Sequence, residues 1–265
     1  MEEKKKFNFS FWDIISVLLL IFVVCYELFR FHVTDNAVLQ PLWDMTLTRL
    51  AAGSFFLILL LRRGFRPVIS AGKAQVLACI SILPCVLLVV NNLPLLSLIK
   101  GDAYLTYGFG YILVFALQCL SIGFFEEIAF RGLFFLLALK KFHASRIQVL
   151  ATVVISSAVF GMYHLFNLFE GSAPGPVFLQ IGYSTLIGAM CAVVLLKTGN
   201  IIVCVLLHAV YDFCGTLVPT LGGGTWWDTP TVIFTAILAV IVFVYMLVLF
   251  LRMDLSKLDK FYERT

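Results

Sequence analysis

Long apolar runs separated by short polar or basic segments make up most of the chain. A helix needs about 20 apolar residues to cross a bilayer, and several of these runs have that length. An all-α, polytopic membrane bundle that forms one transmembrane domain over residues 1–265 is therefore the predicted fold. Its eight predicted spans cover residues 11–29, 42–61, 74–90, 103–139, 147–168, 177–196, 201–218 and 231–251.

Two of these spans and one connecting segment have irregular features. At about 1.5 Å per residue, the run 103–139 is longer than a bilayer of about 30 Å is thick. We expect it to be tilted, broken near residues 121–123, or partly amphipathic. Pro84 lies inside the third span and predicts a kink there. The glycine-rich segment 221–228 predicts a loop at the membrane interface.

Composition supports a membrane protein. Hydrophobic residues make up 62% of the chain and charged residues only 13%, whereas soluble domains have about 25% charged residues. The net charge of +4 does not indicate nucleic-acid binding, because the basic residues lie in short clusters between apolar runs. The seven cysteines form no C-x-x-C pair and predict no disulfide framework. Composition therefore predicts the lipid bilayer as a partner, and no nucleic acid.

The distribution of lysine and arginine predicts the orientation in the membrane. The N-terminus, the 62–73 and 140–146 segments, Lys197 and the 252–265 tail are basic, whereas the alternate loops hold at most one basic residue each. Cytoplasmic loops carry the excess of Lys and Arg. We therefore expect a multi-pass protein of the cell membrane with both termini in the cytoplasm.

Three ionisable residues lie close together inside the fourth span. They are Glu126, Glu127 and Arg131. In a helix, Glu127 and Arg131 are four residues apart and can pair, whereas Glu126 projects about 100° away from Glu127. Ionisable groups in hydrocarbon are expensive and usually face a partner or a cavity. The cluster is either a structural ion pair that fixes helix packing or an active-site carboxylate, Glu126, beside a supporting salt bridge.

Two later spans carry further polar residues. The fifth contains Phe160-x-x-x-His164, with Asn167 three residues on, and the seventh contains His208-x-x-x-Asp212. A single histidine in an apolar helix is more often a packing residue. Two histidines, an aspartate one turn after the second, and the glutamate pair together predict a polar site inside the bundle.

The residue types in this set favour hydrolysis by activated water. A carboxylate in a low-dielectric cavity can act as a general base near neutral pH, and histidines can orient water, move protons or donate to an oxyanion. The chain has no G-x-S-x-G turn and no cysteine beside either histidine motif, which argues against an acyl-enzyme route. It also lacks H-E-x-x-H, although Glu126, His164, His208 and Asp212 could ligate zinc. No cofactor is predicted, and zinc stays an open alternative.

Taken in order, Glu126-Glu127-x-x-x-Arg131, Phe160-x-x-x-His164 and His208-x-x-x-Asp212 resemble the three-motif signature of the CPBP family. This family comprises the CAAX-prenyl-protease-like and bacteriocin-processing (Abi) intramembrane endopeptidases. The resemblance covers residues 124–213 and implies an eight-span intramembrane glutamate protease.

The resemblance also implies roles for the motif residues. Glu126 would activate water with help from His164, and His208 and the residue at 212 would stabilise the oxyanion. Glu127 and Arg131 would form a structural pair. Relatives often have Asn where this chain has Asp212, and an ionised Asp cannot donate a hydrogen bond.

Other functions fit some of these residues. A non-catalytic immunity or scaffold protein would keep them for packing, and a zinc protease would use them as ligands. A transporter would use Glu126 and the histidines as a proton relay. Within the family, the substrate could belong to peptide processing, prenyl-protein processing or bacteriocin self-immunity.

Overall fold

The structure is a helical membrane bundle. The computed structural model describes residues 31–69, 78–225 and 227–261, and six of the helices in these ranges are long and apolar enough to cross a membrane. They are α1 (Leu39–Arg62), α4 (Phe109–Lys141), α5 (Arg146–Tyr163), α6 (Pro174–Thr198), α7 (Ile201–Leu221) and α8 (Thr229–Arg252). The predicted fold class is confirmed, although the count of eight spans is not exact.

The first predicted span, 11–29, lies outside the described residues. The third, 74–90, is described from residue 78 onward, where a turn at 81–82 precedes the short helix α2 (Leu83–Asn91). Pro84 lies in the first turn of α2 and not in a helix interior. A turn therefore interrupts the predicted span just before Pro84, in place of a kink within one continuous helix. Proline is tolerated in the first turn because the N–H that it removes has no partner there in any case. A second short helix, α3 (Leu95–Lys100), follows.

The long fourth run begins differently from the prediction. Residues Ala103–Leu105 form a short strand, β1, that pairs antiparallel with β2 (Gly222–Gly224). A Cβ at position 222 would collide with the carbonyl group of Tyr104, so the glycines of β2 allow this close pairing. The helix α4 then runs for 33 residues without a break, about 50 Å at 1.5 Å per residue.

Helices α5 to α8 follow the predicted spans closely. The side chain of Asn200 caps α7 by accepting from the N–H of Ile202 at 2.9 Å, and Gly199 ends α6 with a φ of 67°. Arg146, at the start of α5, donates to the carbonyl oxygens of Phe250 and Met253 at 2.7 and 2.9 Å. These bonds attach the C-terminal end of α8 to the rest of the bundle. Otherwise α8 is largely exposed, as expected for a helix that faces lipid.

Glycines set the closest contacts between helices. A Cβ at Gly123 of α4 would lie 2.8 Å from the carbonyl oxygen of Val205 in α7. A Cβ at Gly161 of α5 would lie 2.7 Å from the carbonyl oxygen of Ile181 in α6. Membrane helices rely on such small residues because no hydrophobic effect drives them together within lipid. Both contacts lie within a few residues of the polar motifs.

Replacing Gly161 therefore tests the packing that positions His164. Gly161→Ala should lower the stability of the protein by about 1–3 kcal/mol, the usual range for an overpacked contact. The matched control is Gly182→Ala in α6, where an added Cβ has nothing within 4 Å. We expect the control to be neutral or slightly stabilising, because alanine is the better helix former. Thermal unfolding in mild detergent measures both, and equal midpoints would contradict the close packing.

Candidate active site

The two adjacent carboxylates lie where α4 changes its hydrogen-bonding pattern. Glu126 is the last residue of the α-helical part Phe109–Glu126, and a π-helical segment, Glu127–Phe135, follows it. Both side chains are buried, with 4% and 0% of their surface exposed. Segments of π-helix are rare and frequently occur at functional sites. Here the segment coincides with the residues that the sequence singled out.

The carboxylate of Glu127 joins two cationic or potentially cationic side chains. Its Oε1 accepts a hydrogen bond from Arg131 Nη1 at 2.9 Å and lies 2.8 Å from His208 Nδ1. The predicted ion pair between Glu127 and Arg131 is thus present. Because a carboxylate only accepts, Nδ1 of His208 carries the hydrogen when Glu127 is ionised. The contact to His208 links two helices and was not predicted.

Arg131 is held on its other side by an aromatic ring. Its guanidinium carbon lies 4.0 Å from the centroid of Phe160, close enough for a cation–π contact. The space for the guanidinium is provided by Gly188, where a Cβ would lie 2.5 Å from Arg131 Nη2. Phe160, the first residue of the second motif, therefore packs against the salt bridge of the first.

His208 lies among three carboxylates. While Nδ1 faces Glu127, Nε2 lies 3.6 Å from Glu126 Oε2 and 3.5 Å from Asp212 Oδ2. The last two distances lie within ion-pair range but exceed the usual hydrogen-bond length. A single imidazole ring thus connects the structural pair to Glu126 and Asp212, which both line a cavity.

His164 also packs against Phe160. It begins the 3₁₀ segment His164–Leu168 that continues α5, and it is buried. The ring of Phe160 packs edge-on against both histidines, with centroid distances of 5.3 Å to His164 and 5.8 Å to His208. Asn167, the last of the predicted supporting residues, donates through Nδ2 to Gln180 Oε1 at 2.8 Å and so joins this segment to α6.

These side chains surround one cavity of about 470 Å³. All four residues predicted to be catalytic, Glu126, His164, His208 and Asp212, contribute to its wall. Sites for small molecules and peptides commonly have volumes of about 300–1,000 Å³. The structure therefore places the predicted residues around a space that could hold a water molecule and part of a chain.

Sequence reasoning missed two buried charged residues of this wall, Asp44 and Arg49 of α1. Arg49 donates through Nη1 to the hydroxyl group of Tyr163 at 3.0 Å. Its guanidinium carbon also lies 4.8 Å from the centroid of Phe125, next to Glu126. The signal was available, because an arginine and an aspartate inside an apolar span predict a functional polar site.

A metal site would need several His, Cys, Asp or Glu side chains close together. In the described ranges, no three His, Cys, Asp or Glu side chains are grouped closely enough to hold a metal ion. Glu126 and Asp212 instead both face the same nitrogen of His208.

Fold and site together define a multi-pass helical membrane protein with a buried Glu–Arg–His cluster beside a polar cavity. Residues 108–214 match the family model for type II CAAX prenyl endopeptidase, Rce1-like proteins. This segment contains all three motifs, and the match supports the CAAX-protease-like family. The match supports a CAAX-protease-like intramembrane endopeptidase, with a peptide or protein as substrate. Comparisons with curated proteins and with solved structures give no match.

Removing Arg131 should damage folding as well as activity. Arg131→Ala leaves the buried carboxylate of Glu127 without its nearest cation, and breaking a buried pair typically costs about 3–5 kcal/mol. Arg62→Ala is the matched control, since Arg62 is exposed at the end of α1. We expect a lower unfolding midpoint and less monodisperse protein in detergent for Arg131→Ala alone. The pairing would be contradicted by an Arg131→Ala protein as stable as the control.

Proposed function

We propose that the protein hydrolyses a peptide bond inside the membrane with water that Glu126 activates. The observation that carries this proposal is the position of His208. One ring nitrogen is bound to Glu127, and the other lies 3.6 Å from Glu126 at the wall of the cavity. The family match supports the reaction class, and the arrangement supports the assignment of roles.

In this proposal, each residue has one task. Glu126 takes a proton from a water molecule while the water oxygen attacks the carbonyl carbon of the scissile bond. The same proton then passes to the leaving amine, so that the carboxylate is regenerated when the C–N bond breaks. His164, whose ring packs against Phe160, helps to orient the water. His208 and Asp212 face the position where negative charge develops on the carbonyl oxygen.

Glu127 and Arg131 act as positioning residues. They contribute no surface to the cavity, but Glu127 fixes the ring of His208 through Nδ1. A histidine whose ring is held by a second group keeps one orientation, and preorganised donors of this kind are effective in low-dielectric sites. The structural pair would therefore serve catalysis by fixing His208.

Glu126→Gln tests the proposal. Glutamine has nearly the same shape but cannot take up the proton, so we expect a folded and inserted protein without activity. Peptides released by cells that produce the wild-type protein are compared with those from Glu126→Gln cells by mass spectrometry. Asp102→Asn is the control, because Asp102 is an exposed carboxylate outside the cavity. A set of peptides present with wild type and Asp102→Asn, and lost with Glu126→Gln, is the expected result.

Two results, one from this experiment and one from zinc analysis of the purified protein, would favour the alternatives. If no peptide depends on Glu126 although the variant is folded, the residues serve packing, as in an immunity or scaffold protein. If purified active protein contains stoichiometric zinc and loses zinc and activity together on chelation, the zinc protease is correct. We expect activity to survive chelation.

Variants of Asp212 distinguish two forms of the oxyanion site, one with a neutral and one with an ionised Asp212. In the form that we favour, Asp212 is neutral and donates a hydrogen bond, as asparagine does at this position in relatives. Asp212→Asn should then keep most of the activity, whereas Asp212→Ala should lose about 10²–10³ in turnover, the usual effect of removing one oxyanion donor.

An ionised Asp212 would act differently. It would instead stabilise a cationic His208, whose Nε2 lies 3.5 Å away, and neither Asn nor Ala could replace it. Steady-state rates of the two folded variants decide between these forms. Equally low rates for both variants would show that the neutral-donor assignment is wrong.

A further inference from the structure

In the part of the chain that the structure describes, the cavity of the candidate active site extends toward one end of the bundle only. In α1 its wall includes residues from Pro41 to Arg49, which is the first half of that helix. In α7 the wall runs in the opposite chain direction, from His208 to Thr220 near the helix end. Leu42 near the start of α1 packs in one cluster with Leu217 and Leu221 near the end of α7, so both contributions lie at the same end of the bundle.

The residues that α4 and α6 contribute to the cavity wall indicate the same end of the bundle. The lining residues of α4 lie between Phe115 and Glu126, and those of α6 between Gln180 and Ile187. Past Glu126, the buried side chains Ile128, Leu133 and Leu136 of α4 belong to the apolar core. Among the described residues, the cavity wall therefore stops at the level of Glu126.

A polar stripe on α7 leads from the site to this end. His208, Asp212, Thr216 and Thr220 are spaced by four residues, lie on one face of the helix and all line the cavity. The stripe spans about 18 Å at 1.5 Å per residue. In the other direction from His208, the buried side chains Leu207, Val205 and Cys204 offer no comparable polar path.

The two ends of the bundle differ in charge. Among the described residues, the end away from the cavity carries a cluster of basic residues that includes Arg62, Lys140, Lys141, Arg146, Lys197 and Arg252. The end that the cavity reaches carries the exposed acidic residues Asp102 and Glu170, and Lys100 there lies 3.8 Å from Asp228. By the positive-inside rule, the basic end faces the cytoplasm. The cavity then faces the opposite side of the membrane.

We infer that substrate reaches Glu126 from the non-cytoplasmic side, so that the protein cleaves a polypeptide segment that has been translocated across the membrane. The inference that this segment is a substrate rests on the proposed hydrolytic function, whereas the direction of access does not. A chain that enters along the α7 stripe passes Thr220, Thr216 and Asp212 before its backbone reaches His208. A polypeptide confined to the cytoplasm would meet the apolar core of α4 instead.

Cysteine labelling in intact cells tests the direction of access. Single cysteines replace Thr216 on the α7 stripe, Gln118 on the facing wall of α4, and Ser172 at the exposed rim. The probe is a charged, membrane-impermeant maleimide, and the parent protein with its own cysteines provides the background. We expect labelling of all three in intact cells, several-fold above background. Lys141→Cys is the matched cytoplasmic control and should label only in inside-out membranes.

Two labelling results would overturn the inference. One is labelling of Thr216→Cys and Gln118→Cys from the cytoplasmic side only. The other is protection of both from either side while Ser172→Cys reacts, which would show a cavity closed to water. Using two positions on different helices keeps the test decisive if one variant fails to fold.

The identity of the released peptides separates this inference from the proposed function. If Glu126-dependent peptides come from cytoplasmic segments, the direction of access is wrong and the hydrolytic function stands. If no peptide depends on Glu126, the hydrolytic function is wrong, and the labelling result still decides the direction of access. Glu126-dependent peptides from translocated segments support both.

Discussion

The carboxylate of Glu127 is the group on which the rest of the site depends. A single oxygen atom meets Arg131 at 2.9 Å and His208 at 2.8 Å, so one buried anion connects α4 to α7 and fixes an imidazole ring. A buried carboxylate without such partners would be strongly unfavourable in a membrane. The same contacts that make Glu127 tolerable therefore hold His208 in front of Glu126. In the proposed mechanism, the bonds that stabilise Glu127 in the bundle are therefore the same bonds that orient His208 for catalysis.

The surrounding bundle provides the short distances that this cluster needs. Gly123 brings α4 close to the backbone of α7, and Gly188 leaves the space that the guanidinium of Arg131 occupies. Phe160 then packs against the guanidinium of the salt bridge and against the rings of both histidines. Polar groups, small residues and one aromatic ring thus form a single packed unit at the closed end of the cavity.

Much of this arrangement was predictable from the sequence, for reasons that are local. The pairing of Glu127 with Arg131 follows from helical spacing, and six of the predicted spans follow from apolar length. The bond between His208 and Glu127 joins residues 81 positions apart, so helical periodicity could not reveal it. Nor could periodicity reveal the π-helical segment, since its apolar residues fit an α-helix equally well. Arg49 could have been predicted as part of the site, because a charged residue inside an apolar span is visible in the sequence.

The most direct test of the account is a double-mutant cycle of turnover for Glu127→Gln and His208→Gln. The rates are measured on a Glu126-dependent peptide identified by mass spectrometry. If Glu127 acts through His208, its replacement should slow the wild-type protein but have no further effect once His208 is absent, because residues that act as a unit are not additive. Losses that multiply in the double variant, with all three proteins folded, would contradict the account.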